Sequence, residues 1–296
     1  MSTGSFPVVL VMLSLAEHDP SVLAAVGSSV ERLGIQTVLL AHVSPVDPLA
    51  GALGVTSSGA GRAELPPGLL AARDALQAKV PGLTVELEHA VGAPDAVLAD
   101  LIERRSVDLL VIGRLTGADG KVGWGPSGRK LLRTIDCSAL VVPQGSSMSF
   151  DQAVVGLDFS NHAAHALEVA SAIFDHTTAV CQYDLRTARQ GSIEPEEFTA
   201  QLVRNAQDHF DSAVAPRLSS DRVPSLEVLA GDRASDVLLE RAAGQVLVVG
   251  SRGLTRIATL LLGSTAERLA GVARSPVLIV RKKGEVLSLL EGLFHR

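Results

Sequence analysis

The feature that most constrains this chain is that it repeats itself. The run Asp108-Leu109-Leu110-Val111-Ile112-Gly113 resembles Gln245-Val246-Leu247-Val248-Val249-Gly250, 137 residues further on (113 against 250). Leu140-Val141-Val142 likewise resembles Leu278-Ile279-Val280, and Gly125 matches Gly263 at a separation of 138 (125 against 263). One residue is therefore missing between the two landmarks in the first half. Each half also opens on an apolar run, Val8–Leu13 and Ala153–Leu157. A repeat of this length is a domain, since a single core closes at roughly 100–200 residues. The 296 residues thus predict two copies of one domain, over residues 1–146 and 147–282, joined through the short polar stretch 144–150. An amphipathic tail over 283–296 carries Val286, Leu287, Leu289, Leu290, Leu293 and Phe294. It is expected to pack on its own domain or on a partner subunit.

Within each half, apolar runs of strand length alternate with stretches of helical period. Strands are predicted at Val8–Leu13, Thr37–Val43, Thr84–His89, Leu109–Ile112 and Ala139–Val142, then at Ala153–Leu157, Ala179–Tyr183, Leu226–Ala230, Val246–Gly250 and Val277–Val280. Helices fall between them, around Ser21–Leu33, Leu69–Val80, Asp95–Arg105 and Gly128–Ile135, then Ala163–Phe174, Pro195–Val214, Ala234–Ala243 and Thr265–Ala273. Strands almost continuous in Val, Leu and Ile are those of a parallel sheet covered by helices on both faces. The predicted class is α/β: two repeated doubly wound, Rossmann-like domains, each with a five-stranded, mainly parallel sheet. Pro45–Arg62, rich in Gly, Ala, Ser and Pro, reads as a long loop.

Composition excludes several function classes. With 47% apolar and 20% charged residues, the chain has enough apolar surface to fold. A net charge of −6 argues against general nucleic-acid affinity, which needs clustered Lys and Arg. No apolar run reaches the ~18–20 residues of a membrane span, and two cysteines, Cys137 and Cys181, make no disulfide framework. A cytoplasmic protein with no membrane and no nucleic-acid partner is the expectation.

The densest chemistry lies between Val248 and Ala266. A strand ends at Gly250, Gly253 follows, and Gly263-Ser264-Thr265 stands where a helix begins. In an open α/β sheet, ligands bind beyond the carboxyl ends of the strands. Glycine lets the backbone turn and come close, while a helix start offers free N–H groups and the positive end of a dipole. Two hydroxyls, with Arg252 and Arg256 nearby, suit phosphate oxygens. The same residues also suit plain structure, with a turn at Gly250 and Gly253 and a cap at Ser264.

Gly250-Ser251-Arg252-Gly253, nine residues, then Gly263-Ser264 reproduces a G-x2-G-x9-G-[ST] signature. With Val155-Gly156-Leu157-Asp158-Phe159-Ser160 and the closing Ser275-Pro276-Val277-Leu278-Ile279-Val280-Arg281, it resembles the nucleotide-binding universal stress proteins. The order and spacing fit both halves, so the whole chain is similar to a tandem member of that family. The resemblance implies ATP, with or without Mg²⁺, lying across the strand ends of the second domain. Asp158 would sit by the nucleoside, Gly250 and Gly253 would let the backbone approach, and Gly263, Ser264 and Thr265 would hold phosphates. The end of the second strand, near Gln182 and Tyr183, would meet the adenine.

The first half departs from the signature. Three residues separate Gly113 from Gly117, the segment to Gly125 is short, and Pro126 replaces the hydroxyl residue, removing an N–H donor as well. Met12 or Leu13 is expected in the place of Asp158, with Glu17 or Asp19 as a stand-in of different spacing. The first domain is therefore expected to keep the fold and lose most nucleotide affinity. Gly123–Gly128 spells G-x-G-x-x-G, but it precedes the last helix of its domain instead of following the first strand, so it reads as accidental. His162 and His165 lie one turn apart, which suits a solvated helix face better than a metal site, and no metal is expected.

Three functions follow. The leading one is an ATP-binding stress-response module whose conformation or partners change with nucleotide. A nucleotide-free protein-interaction module is the alternative, and a slow ATPase is a weaker one, because no general base stands near the phosphate loop and Asp158 and Asp232 are its only acids. No catalytic residue is assigned. Single-domain members of the family commonly pair through their last strands. Leu140–Val142 and Val277–Val280 could do so within one chain, and two chains could then form a homodimer.

Overall fold

The computed structural model describes residues 5–15, 19–44, 64–114, 126–184, 195–219, 221–253 and 262–283. The expected loop at 45–62, Glu17, Arg256 and all of the amphipathic tail beyond Lys283 lie outside them. The described chain divides into two compact units, one holding Ser149–Arg281, the other Ser5–Met148 together with Lys282 and Lys283.

In the N-terminal unit the order is β1 (Val8–Met12), α1 (Asp19–Ser29), β2 (Thr37–Ser44), α2 (Pro67–Lys79), β3 (Thr84–Val91), α3 (Pro94–Arg104), β4 (Leu109–Arg114), α4 (Pro126–Thr134) and β5 (Ser138–Pro143). Its strands lie in the order β3-β2-β1-β4-β5, every pair parallel. The helices α1 and α2 touch each other, as do α3 and α4. The C-terminal unit repeats this with β6 (Gln152–Gly156), α5 (Asn161–Ile173), β7 (His176–Tyr183), α6 (Pro195–His209), β8 (Ser225–Ala230), α7 (Ala234–Arg241), β9 (Val246–Gly250), α8 (Ser264–Val272) and β10 (Val277–Val280). Here the order is β10-β9-β6-β7-β8, again all parallel. The central strands are apolar on both faces, with Val9, Leu10, Val111, Val154 and Val248 at or near zero exposure, as helices on either side require.

Beyond shifts of a few residues at element ends, such as α1 running Asp19–Ser29 instead of Ser21–Leu33, two differences between predicted and observed elements stand out. The helix expected over Pro195–Val214 stays α-helical only to His209, then widens into a π turn at Phe210–Val214 and a 3₁₀ turn at Ala215–Arg217. A π turn adds a residue to the helical period, and here it buries both Phe210 and Val214. The second difference concerns the first strand. Leu13 N–H donates to Ala41 O, and Leu157 N–H donates to Val180 O. Since Met12 faces Ala41 and Gly156 faces Val180 in the parallel ladders, Leu13 corresponds to Leu157. The counterpart of Asp158 is therefore Ser14, not Met12 or Leu13. The next residues, Leu15 and Phe159, both take a left-handed backbone, with φ of 60° and 61°.

In the N-terminal unit that unusual turn is held by Asp19. Its carboxylate accepts from the Leu15 N–H at 2.6 Å and, through the other oxygen, from the Ser14 N–H at 3.2 Å. Asp19 is thus committed to its own backbone instead of standing in for Asp158. Asp19→Ala removes both acceptors from a partly buried turn, so it should lower unfolding free energy by about 1–3 kcal/mol. Urea unfolding read by circular dichroism tests this.

Candidate functional site

Reversal of strand order between β6 and β9 opens a crevice at their carboxyl ends, where α/β sheets take ligands. A cavity of about 390 Å³ lies there, within the range of small-molecule sites. Seven of the residues singled out from the sequence line it: Asp158, Gly250, Arg252, Gly253, Gly263, Ser264 and Thr265. Gln182 lines it too, whereas Tyr183 does not. The periodic pattern had not marked Leu157, Val180, Ala234 and Leu238, which make its apolar walls. Nothing distinguishes them in sequence from ordinary core residues.

Each part is placed by local chemistry. Ser160 caps α5 by accepting from Ala163 N–H at 3.2 Å. Asp158 folds over the same turn, its Oδ1 accepting from Ser160 N–H at 3.0 Å. Beside it the Cys181 thiol is pushed up from its ordinary pKa, first by burial and then by the Asp158 charge.

The glycines serve different ends. A Cβ on Gly250 would stand 2.7 Å from the carbonyl carbon and oxygen of His162 and 2.9 Å from the Ala163 nitrogen. The packing of α5 on β9 by itself requires a bare residue there. A Cβ on Gly253 would meet Asp158 Oδ2 at 2.5 Å, so this glycine makes room for the carboxylate. At Gly263 the nearest atoms, Arg252 Cα and Ser251 O, would be 3.5 Å away, an ordinary contact. Among the described residues, therefore, nothing requires glycine at 263 on steric grounds.

Gly263 is the N-cap of α8, with extended φ and ψ of −73° and 152° and no side-chain cap. Its own N–H is held by Ser251 O at 2.7 Å, which draws the end of β9 against the helix start. The amides of Ser264, Thr265 and Ala266 begin the first turn, where helical geometry supplies no acceptor. Close by, Ser251 Oγ is fully buried and has no hydrogen-bond partner among the described residues. Hydroxyls, open amides and the positive helix end together make a place for an anion.

In the N-terminal unit the corresponding crevice carries other groups. Gly113 faces Val142 as Gly250 faces Val280, so Arg114 takes the place of Ser251. Its side chain is buried, and burial brings its pKa down to about 10. Residues 115–125 lie outside the described ones, and Pro126 begins α4 where Ser264 begins α8.

A model of the Universal stress protein family matches residues 9–143 and again 149–281. A universal stress protein of Mycobacterium tuberculosis is 28% identical over 211 residues, covering 66% of this chain and 68% of the relative. One from Thermus aquaticus is 26% identical over 142 residues, 99% of its length but 45% of this chain. Among solved structures, a universal stress protein from Archaeoglobus fulgidus superposes with a TM-score of 0.56 at 15% identity, covering 93% of this chain and 96% of its own. A protein of unknown function from Pseudomonas aeruginosa reaches 0.66 at 15% identity over 99% of both.

The glycine geometry makes two substitutions diverge. Gly250→Ala forces a methyl into the α5 backbone and should cost about 1–3 kcal/mol. Gly263→Ala should change stability by less than about 1 kcal/mol, a weaker cap being offset by a less flexible unfolded chain. Denaturant midpoints of the two variants, measured side by side, check the contrast.

Proposed function

From the premise that the chain belongs to the universal stress protein family, in tandem form, we propose that its C-terminal domain binds an adenine nucleotide, ATP foremost. Phosphates would lie on the amides and hydroxyls of Ser264 and Thr265, beside Gly263 and Arg252. The nucleoside would reach past Asp158 toward the apolar walls. Among the described residues no group of three His, Cys, Asp or Glu stands together, so Mg²⁺ would arrive on the phosphates, as that ion commonly does.

The observation that carries the reading is the helix start at Gly263. Among the described residues nothing sterically requires glycine there, and glycine leaves the first turn of α8 open to an anion. That the N-terminal domain holds little or no nucleotide is supported by Ser14, Arg114 and Pro126 in the places of Asp158, Ser251 and Ser264. The function proposed is that of a nucleotide-responsive regulatory module in which the first domain is scaffold. A reducing, cytoplasmic setting fits two free cysteines, and no helix among the described residues is long and apolar enough to cross a membrane.

Nucleotide analysis of the purified full chain tests this. Wild type should bind ATP, and Gly263→Val, which sets a branched side chain over the first turn of α8, should weaken binding at least about tenfold, the loss of one or more charge-assisted hydrogen bonds. Unchanged retention by the variant, or no ATP bound by wild type under titration, overturns the proposal.

A further inference from the structure

We propose that the N-terminal domain carries a transition-metal site of its own, in which His42 and His89 hold one divalent ion of the zinc, copper or nickel class near the carboxyl ends of β2 and β3. The inference does not rest on nucleotide binding, because it involves no residue of the cavity at Asp158.

Far apart in sequence, the two histidines are brought together by strand pairing. His42 of β2 stands opposite His89 of β3 in the parallel ladder, so both side chains leave the same face of the sheet. Their ring centres are 5.8 Å apart and their planes 25° from parallel. With metal–nitrogen bonds of about 2.0–2.1 Å, two imidazoles sharing one ion hold their centres roughly 5–6 Å apart. The spacing thus already suits a shared ion. Aiming both rings at it asks only for rotation about the last side-chain torsion of histidine, which is soft, and neither strand has to move.

Each ring has a partner that settles its bonding. His42 Nδ1 lies 2.9 Å from Leu13 O. A carbonyl oxygen only accepts, so Nδ1 carries the proton and the neutral ring keeps its lone pair on Nε2. Metal-bound histidines are fixed in this way, one ring nitrogen donating to an oxygen while the other takes the ion. His89 Nε2 lies 3.0 Å from Ser44 Oγ, which leaves Nδ1. That nitrogen is buried with no hydrogen-bond partner among the described residues, an unfavourable state for a polar atom. An ion on His89 Nδ1 relieves it, with the Nε2 N–H then donating to Ser44 Oγ.

The fold itself does not ask for imidazoles here. His42 follows Ala41, which faces Met12, and Cys181 follows Val180, which faces Gly156, so His42 corresponds to Cys181. Cys181 in turn faces Val228. The C-terminal domain therefore builds the same strand ends from a cysteine and a valine, and the histidine pair is an addition to the shared architecture.

Neutral imidazole suits Zn²⁺, Cu²⁺ and Ni²⁺, whereas Mg²⁺ and Ca²⁺ prefer oxygen ligands. Among the described residues no group of three His, Cys, Asp or Glu stands together, so two ligands come from these side chains and water or a small anion completes the shell. Such an ion keeps open coordination positions, unlike a closed structural zinc.

The test titrates Zn²⁺ alone into the untagged, nucleotide-free full chain in a calorimeter. Wild type should bind one ion per chain, and Mg²⁺ should not compete. His42→Gln and His89→Gln should each weaken binding at least about tenfold, the scale on which lost metal-site partners act. His176→Gln, which alters an exposed histidine of the C-terminal domain, should leave it unchanged. Nitrogen NMR of the wild-type imidazoles needs no variant to fold: Zn²⁺ should move the signals of His42 Nε2 and His89 Nδ1 before those of any other histidine. No Zn²⁺ bound by wild type overturns the inference, as does binding that persists in both variants, or signals that move first at other histidines. None of these results touches the nucleotide reading.

Discussion

Contact between the α5 backbone and Gly250 sets the rest of the site. With His162 and Ala163 lying where a side chain at 250 would stand, α5 reaches the sheet closely enough for Asp158 to fold over its first turn. Asp158 in turn needs a bare residue at 253, whose Cβ would occupy the place of Oδ2. The chain then leaves β9 and comes back at Gly263, where one hydrogen bond from its N–H to Ser251 O draws the start of α8 onto the end of β9. Two of the three glycines in the signature are therefore consequences of packing. At the third, a Cβ would make only ordinary contacts with the described residues.

The two domains show which features belong to the fold and which to the site. Both keep the all-parallel sheet and its order, and both hold a non-glycine residue in a left-handed turn after the first strand, at Leu15 and Phe159. Such a turn costs energy wherever it occurs, so its retention on both sides marks it as part of the chain path. What differs is polar. The N-terminal turn is filled from within by Asp19, which bonds to Ser14 and Leu15. The C-terminal turn instead lays Asp158 across Ser160 and toward the cavity. One domain has turned its carboxylate onto its own backbone. The other keeps its carboxylate at the crevice.

Much of this was legible in the sequence, because the signals are local. Apolar runs of Val, Leu and Ile mark parallel strands, and the 137-residue echo marks the repeat, so among the described residues the ten predicted strands and eight predicted helices lie close to where the pattern put them. The cavity was legible through glycine spacing. Three things were not. Equating Asp158 with Met12 or Leu13 failed because a gapless match of strand ends ignores register, which only the Leu13–Ala41 and Leu157–Val180 hydrogen bonds fix. The break of α6 at His209 escaped because a π turn changes the period by one residue within an amphipathic run. The separate duties of Gly250 and Gly263 could not be told apart, since a missing side chain looks the same whether a helix or a ligand requires its absence.

A module that answers to a ligand needs an element whose position the ligand biases, because equal affinity for two arrangements shifts neither. The start of α8 is suited to that part. It is tied to β9 by the Gly263–Ser251 hydrogen bond and to α7 by the Arg268–Asp236 ion pair at 2.8 Å, whose partners are both largely exposed. An exposed pair of this kind contributes at most about 1 kcal/mol. Within the described residues α8 is thus firmly held at its buried face, where Ala266, Leu269 and Ala270 pack, and lightly held at its polar one. An anion bridging the first turn of α8 to the residues at Gly253 would add contacts between the two segments. Because those contacts depend on how the two segments are placed, they would favour the closed arrangement over any looser one. The coupling would run from phosphate to α8 and on to α7, which lines the other end of the same cavity through Ala234 and Leu238. Base and phosphates would then pull on neighbouring helices, so that only a ligand carrying both would draw the two helices together.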